Sequence, residues 1–193
     1  MNSAAGAPFL LQPAGQDYLW GGRRLRDDFG KTGKDLDDLE PLAETWECST
    51  HPAGISRIAS GRNAGMPLTE YAARYPEMLG THPRKLGLPE GQLPILIKFI
   101  DADRNLSVQV HPDDDYAREY ENGALGKTEM WYVLDAAQGS ELIYGFNRDV
   151  DETLVRRAIA DDSLEKLLRR VPIERDDVFY IESGTVHAIG AGS

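Results

Sequence analysis

The chain has 193 residues, enough for one domain with a sizeable core, and 41% of them are hydrophobic, which is typical of a globular protein. Its formal net charge of −11 at pH 7 argues against nucleic acid or an anionic membrane as a partner, because both attract basic surfaces. The single cysteine, Cys48, excludes an internal disulfide framework and fits a reducing cytoplasm. No apolar run approaches the roughly 18 residues that a membrane span needs.

The first half of the chain combines short strand patterns with one helical pattern. Residues 1–8 are small and polar, and we expect them to be disordered. Alternating polar and apolar residues predict strands over 44–50 and 55–59. Apolar residues at helical spacing predict a helix over 67–79, which Gly80 would end. The run 93–100 is apolar on both faces, which predicts a buried strand interrupted by Lys98.

The stretch from Leu106 to Asp114 reads LSVQVHPDD and alternates as a β-strand does. Its apolar residues would face the core, while Ser107, Gln109 and His111 would share the other face. Gln109 and His111 would then lie roughly 7 Å apart along the strand. An edge strand with a polar, solvent-facing side explains the same pattern.

The second half continues with short strands and two helical patterns. Strands are predicted over 126–134, 141–146, 178–181 and 185–189, and a short helix over 113–122. Residues 151–170 form the longest helical pattern, which Asp161-Asp162-Ser163 divides. Many short strands with turn residues between them indicate a mainly β fold, a sandwich or barrel with small helical insertions.

Four residues on these strands carry metal-binding groups: His111, Glu129, His187 and Gln109. Two imidazoles and one carboxylate suit zinc or another divalent first-row metal, with a position left for water or substrate. Each residue also has an ordinary reading as a surface or core side chain. The spacings, 18 residues from 111 to 129 and 58 from 129 to 187, match no local metal motif. Spacing therefore leaves both readings open.

Three motifs surround the proposed ligands: LSVQVHPDD from Leu106, GKTEMWYV from Gly126 and FYIESGTVHAIG from Phe179. Three more precede them in the chain: YLWGG from Tyr18, ETWECS from Glu44 and PILIKFID from Pro94. In their order along the chain, these six motifs resemble those of type I mannose-6-phosphate isomerases, the zinc-dependent cupin family, and its shorter bacterial form in particular. The segment from Glu182 to His187 also resembles the second cupin motif, with Glu182 where proline is usual.

The resemblance implies a cupin-type jelly roll over residues 9–193, with a helical insertion at about 151–170. It implies one zinc ion per chain, bound by His111, Glu129 and His187, with Gln109 as fourth ligand or water-bridged neighbour. The implied reaction interconverts mannose 6-phosphate and fructose 6-phosphate through an enediol.

Three residues are candidates for holding the phosphorylated hexose. Lys127 shares the strand face of Glu129, and we expect it to contact substrate near the metal as a catalytic and substrate-binding residue. Ser107 shares the face of Gln109 and is a second candidate. Lys98 is a third, with a structural ion pair to Asp101 or another carboxylate as the alternative.

The resemblance also implies further strands after the motif that ends near Gly190, so the family's C-terminal part is expected to be missing at Ser193, leaving open sheet edges. Two rival functions remain: an Fe(II) cupin oxygenase that uses a facial triad, and a non-catalytic module that binds sugar phosphates. Lys127 favours a phosphorylated sugar over the oxygenase. The sequence predicts no oligomeric state.

Overall fold

The structure, a computed structural model, describes residues 8–193. The predicted disorder over residues 1–8 lies, except for Pro8, outside the described residues. The chain divides into two compact units, Met1–Asp101 and Ala102–Ser193. Within the part of the chain that the structure describes, no helix is long and apolar enough to cross a bilayer.

Within residues 8–101, the first unit contains two antiparallel sheets and three short α-helices. Its strands are β1 (Leu11–Gln12), β2 (Ala14–Gln16), β3 (Glu44–Cys48), β4 (Arg57–Ile58) and β5 (Ile97–Ile100). Strand β1 pairs with β4, and the other sheet has the order β2-β3-β5. The helices are α1 (Arg24–Asp27), α2 (Leu68–Arg74) and α3 (His82–Lys85). Strands β3 and β4 confirm the strands predicted over 44–50 and 55–59, although both are shorter than predicted.

Helix α2 packs its apolar side on the β1–β4 sheet. Leu68 and Tyr71, which are one turn apart, form a buried cluster with Ile58 of β4. The predicted helix over 67–79 is wrong in its second half, because the α-helix ends at Arg74 and a 3₁₀ turn follows over Pro76–Leu79. A proline disfavours helical backbone in the residue before it and has no N–H to donate. Gly80, at φ 65°, ends the segment as predicted.

Strand β5 is shorter and more exposed than the predicted buried strand over 93–100. Ile95 and Ile97 are 54% and 48% exposed. Strand β5 is the outer strand of its sheet, so within the described residues only β3 pairs with it. A run that is apolar on both faces is buried only where both faces are covered. The prediction of a buried strand was therefore wrong, because every residue of this run is at least partly exposed.

The second unit contains the remaining strands and two α-helices. The strands are β6 (Glu129–Tyr132), β7 (Glu141–Phe146), β8 (Leu168–Pro172), β9 (Val178–Ile181) and β10 (His187–Ile189). They form a three-stranded sheet of order β10-β7-β8 and a two-stranded sheet of β6 and β9. The helices are α4 (Asp114–Tyr120) and α5 (Glu152–Ala160). Val133, Leu142 and Ile173 form the centre of a buried cluster in this unit.

The helical pattern predicted over 151–170 is helical only in part. Asp151 caps α5 by accepting a hydrogen bond from Leu154 N at 2.7 Å. The predicted break at 161–163 is confirmed, and Asp162 there has φ 55°. A 3₁₀ turn covers Leu164–Leu167, but the prediction is wrong from Leu168 onward, where β8 pairs with β7. Sheet pairing overrides the helical spacing of the leucines.

The segment from Leu106 to His111 is extended but is not a regular strand, contrary to the prediction. It pairs with β10 through Gln109 and His187, each of which donates its backbone N–H to the other's carbonyl at 2.8 Å. Val108 and Val110 are 37% and 60% exposed, so the prediction that this apolar face is buried was wrong. Within the described residues of this unit, the segment pairs with β10 on one side, and its two valines remain exposed.

Candidate metal centre

His111, Glu129 and His187 bring their side chains together in the second unit. One ligand atom from each residue lies within 4.8 Å of the other two. Glu129 Oε2 is 3.3 Å from His187 Nε2 and 3.6 Å from His111 Nε2. His187 is buried, and the other two side chains are partly buried. Residues that are far apart in sequence therefore form one cluster.

Backbone pairing holds the two histidines side by side. The reciprocal hydrogen bonds between Gln109 and His187 align the two segments, and Gly184 N donates to His111 O at 2.8 Å. The two imidazole centroids are 4.9 Å apart. Because these contacts use main-chain atoms, they keep His111 and His187 adjacent whatever the neighbouring side chains are.

Glu129 reaches the cluster from the first residue of β6. In the β6–β9 pair, Glu129 lies opposite Ile181, which is buried, whereas the next residue, Met130, is 64% exposed. The period of two along the strand therefore directs Glu129 to the inner face. Glu129 enters the site from a different sheet than His187, whose strand pairs with β7.

Gly126 allows the segment leading into β6 to lie against the backbone that follows His111. A Cβ atom at Gly126 would lie 2.4 Å from the carbonyl carbon of Asp113, and Gly126 N donates to Asp114 Oδ1 at 2.8 Å. The next residue, Lys127, donates its N–H to Pro112 O at 3.0 Å. This close approach places Lys127 and the residues after it beside the segment that carries His111.

The hydrogen bonding of His187 prepares it to bind a cation. Its Nδ1 is 2.8 Å from Thr185 O. A carbonyl oxygen only accepts, so Nδ1 carries a hydrogen and Nε2 is the ring nitrogen left to bind a metal ion. Nε2 faces the Glu129 carboxylate at 3.3 Å. Either a hydrogen or a metal ion can lie between these two groups, and the residues therefore fit a metal ion.

Lys127 supplies a positive charge to the same cluster. Its Nζ is 2.7 Å from Glu129 Oε1 and 3.1 Å from His111 Nε2. Burial alone would raise the pKa of Glu129, but hydrogen bonds with His187 and Lys127, together with the charge of Lys127, lower that pKa to about 2. Glu129 is therefore ionised at neutral pH, the form that binds metals.

The other predicted site residues lie in two places. Gln109 is exposed, and its Nε2 is 3.5 Å from Ser107 Oγ, so these two side chains share a face as predicted. Lys98 belongs to the first unit, where its Nζ is 2.9 Å from Glu44 Oε1. This is the ion pair that the sequence analysis gave as the alternative, with Glu44 rather than Asp101 as the carboxylate. The roles of Gln109 and Lys98 toward a ligand stay predictions.

Sequence reasoning missed three residues that position the ligands. Thr185 orients His187 through its carbonyl, and Trp131 packs edge-on against the His187 ring with centroids 5.4 Å apart. Gly126 provides the close approach described above. A main-chain acceptor has no side-chain signature, whereas the glycine before Lys127 was a signal that could have been used.

Two imidazole nitrogens and a carboxylate suit a divalent first-row metal and leave positions for water or substrate. The sheet-rich fold and this site define a cupin-type protein with a candidate metal centre. The family model described as the catalytic domain of type I phosphomannose isomerase matches residues 9–141. The chain belongs to the type I phosphomannose isomerase family, which confirms the resemblance found in the sequence.

Similar proteins agree with this assignment. A mannose-6-phosphate isomerase of Streptococcus mutans is 43% identical, over 96% of this chain and 55% of the relative. A probable mannose-6-phosphate isomerase of Bacillus subtilis is 41% identical, over 96% of this chain and 56% of the relative. The crystal structure of the mannose 6-phosphate isomerase from Bacillus subtilis is 37% identical with a TM-score of 0.83, over 96% of this chain and 56% of that one. The predicted cupin-type fold is confirmed, and the chain spans about half the length of these relatives.

Proposed function

We propose that this chain carries the site of a metal-dependent aldose–ketose isomerase that interconverts mannose 6-phosphate and fructose 6-phosphate. The observation that carries the proposal is the convergence of His111, Glu129 and His187 within 4.8 Å, with Lys127 in contact with two of them. Membership of the phosphomannose isomerase family supports the reaction and the substrate. Residues 9–193 would act as one cupin-type catalytic domain in the cytoplasm, where the single Cys48 stays reduced.

The metal in this proposal is one zinc ion per chain. His111 and His187 would provide nitrogen ligands, Glu129 a carboxylate oxygen, and Gln109 the fourth ligand or a water-bridged contact. A divalent cation there would stabilise the negative charge on the sugar oxygens while a base takes the C2 proton and returns it to C1. The Thr185 carbonyl keeps the hydrogen of His187 on Nδ1, which leaves Nε2 available as a ligand.

Lys127 is the proposed catalytic and substrate-binding cation. The chain has a net charge of −11, so an anionic hexose phosphate needs a local positive group to be held against the overall field. The Lys127 side chain is 43% exposed, so its ammonium can be reached from solvent. Ser107, exposed on the face of Gln109, would donate a hydrogen bond to a sugar or phosphate oxygen. Lys98 is the third proposed substrate contact, in exchange for its ion pair with Glu44.

The proposal is tested by elemental analysis together with a coupled assay for turnover of mannose 6-phosphate. The protein, His111→Ala and the matched control His82→Ala are compared, since His82 is an exposed histidine of α3 in the first unit. We expect about one zinc per chain and turnover in the protein and in His82→Ala, and loss of both in His111→Ala.

Absence of metal from all three proteins would refute the metal centre. Zinc that binds without any turnover of mannose 6-phosphate would refute the isomerase activity of this chain and leave the metal site. Turnover that persists in metal-free His111→Ala would refute the dependence on the metal.

A further inference from the structure

The ammonium group of Lys127 lies where the ligand groups of the candidate metal centre meet. It is 2.7 Å from Glu129 Oε1 and 3.1 Å from His111 Nε2, both within hydrogen-bonding distance. A lysine ammonium only donates, so in its contact with Nε2 the imidazole of His111 accepts. Lys127 therefore uses the same lone pair and the same carboxylate that a metal ion would use.

The surroundings of the cluster make a cation necessary in the absence of metal. Glu129 is only 14% exposed, and His187 Nε2 faces its carboxylate at 3.3 Å. A partly buried carboxylate is unstable without a positive partner. Lys127 is the residue whose ammonium contacts both Glu129 and His111.

The Lys127 side chain is also able to leave. It is 43% exposed, compared with 14% for Glu129, so it approaches the cluster from the solvent side. Its main chain is fixed by the hydrogen bond to Pro112 O, while the flexible four-carbon stem can carry the ammonium into water. Movement of the side chain does not require movement of the backbone.

We infer that Lys127 is a built-in substitute cation, which holds the ligand groups together in the metal-free protein and withdraws from His111 and Glu129 when a divalent cation binds. The inference rests on the proposed metal centre and adds that the Lys127 ammonium and the metal ion exchange places there. Once withdrawn, the ammonium is available to an anionic substrate, so the exchange would couple metal loading to the binding of a sugar phosphate. Lys127 would then contact substrate only in the loaded protein.

The test compares the protein with Lys127→Met, which keeps most of the side-chain volume but loses the charge, and Lys127→Arg, which keeps a cation. Lys166→Met is the matched control for net charge, because Lys166 is an exposed lysine of the same unit outside the cluster. Metal-stripped proteins are titrated with Zn²⁺ against a competing chelator and with Co²⁺ by absorbance. Thermal unfolding is measured in chelator and in excess Zn²⁺.

Lys127→Met is expected to bind Zn²⁺ on the order of tenfold more tightly, because a charge-assisted hydrogen bond no longer has to be broken. It is also expected to unfold at a lower temperature than the unmodified protein in chelator but not in Zn²⁺. Lys127→Arg and Lys166→Met are expected to keep the Zn²⁺ affinity and the unfolding temperatures of the unmodified protein.

Unchanged or weaker Zn²⁺ affinity in Lys127→Met would overturn the exchange. Tighter binding without loss of metal-free stability would overturn it as well, because it would indicate simple charge repulsion. Isomerase turnover is not among the readouts, so either result leaves the proposed activity standing. A protein that binds no Zn²⁺ at all would overturn both.

Discussion

Replacing Gly126 with alanine should separate the ligands of the candidate metal centre without removing any of them. The Cβ atom would lie 2.4 Å from Asp113 C, 2.5 Å from Asp114 N and 2.8 Å from Pro112 O. All three are main-chain atoms next to His111, so no side chain can rotate away to make room. Gly126 does not have a positive φ, and the strain of the variant is therefore steric.

The size of the effect follows from these distances. Ordinary contact begins at 3.4 Å, so the two backbone segments must separate by about 1 Å. Overpacking of this kind costs about 1–3 kcal/mol of the free energy of unfolding. Disturbing the groups that orient metal ligands lowers metal affinity by about 10- to 100-fold. We expect both losses in Gly126→Ala.

The measurements are urea unfolding in chelator and Zn²⁺ titration against a competing chelator. Gly123→Ala, in the same loop, is the matched control. Gly123 has φ 82°, and a Cβ atom added there would meet no other atom within 4 Å, so alanine strains the backbone without touching another segment. We expect it to cost about 1 kcal/mol and to leave Zn²⁺ affinity unchanged.

Wild-type Zn²⁺ affinity in Gly126→Ala would show that the contact between Gly126 and Asp113 does not set the ligand geometry. Equal loss of affinity in both glycine variants would show that affinity follows overall stability instead. Either result would refute the reasoning from close approach.

Three further changes test the electrostatics and the caps. The pKa of Glu129 is lowered from 4.5 to about 2. Its ionised form should therefore add at most about 3 kcal/mol to the free energy of unfolding of the metal-free protein. This contribution should be present above pH 4.5 and be lost as the pH falls toward 2. Urea unfolding between pH 2 and 6 should show a shallower slope in Glu129→Gln, and an identical slope would contradict the shift. Asp113→Ala removes the side-chain cap of α4 and should lower the free energy of unfolding in urea by about 1 kcal/mol. The control Asp115→Ala removes an exposed acidic group that does not cap the helix, and it should change this free energy little. Glu44→Ala removes the buried carboxylate that pairs with Lys98 and should lower the free energy of unfolding by about 3 kcal/mol. A loss below about 1 kcal/mol would argue that the Lys98 ion pair does not stabilise the fold.

Local features of the fold could be read from the sequence because they depend on residues close together in the chain. The alternation around Trp46 predicted β3, and the acidic residue Asp151 before an apolar helical pattern marked the start of α5. The motifs around His111, Glu129 and His187 identified the family, and with it the ligand types. Each of these signals lies within a short stretch of sequence, so it can be recognised without knowing how the chain packs.

Features that depend on coverage by distant residues could not be read in the same way. Val110 and Ile97 lie in apolar patterns that are typical of buried residues, yet they are 60% and 48% exposed. Leu168 continues a helical spacing but begins a strand that pairs with β7. Burial and sheet pairing are decided by which segment lies alongside, and no local pattern specifies that segment.

The sequence by itself determined the strand propensities, the ligand chemistry and, through its motifs, the family. Only the tertiary structure decided that Glu129 from β6 meets His187 from β10. That meeting depends on strand pairings between distant residues, such as Glu129 with Ile181, 52 positions apart, and His187 with Tyr144, 43 positions apart. The tertiary structure also decided that Lys127 contacts both His111 and Glu129, and that the Thr185 carbonyl orients His187. Side-chain identity sets which groups can bind a metal, while the non-local packing of the backbone sets whether they reach the same point.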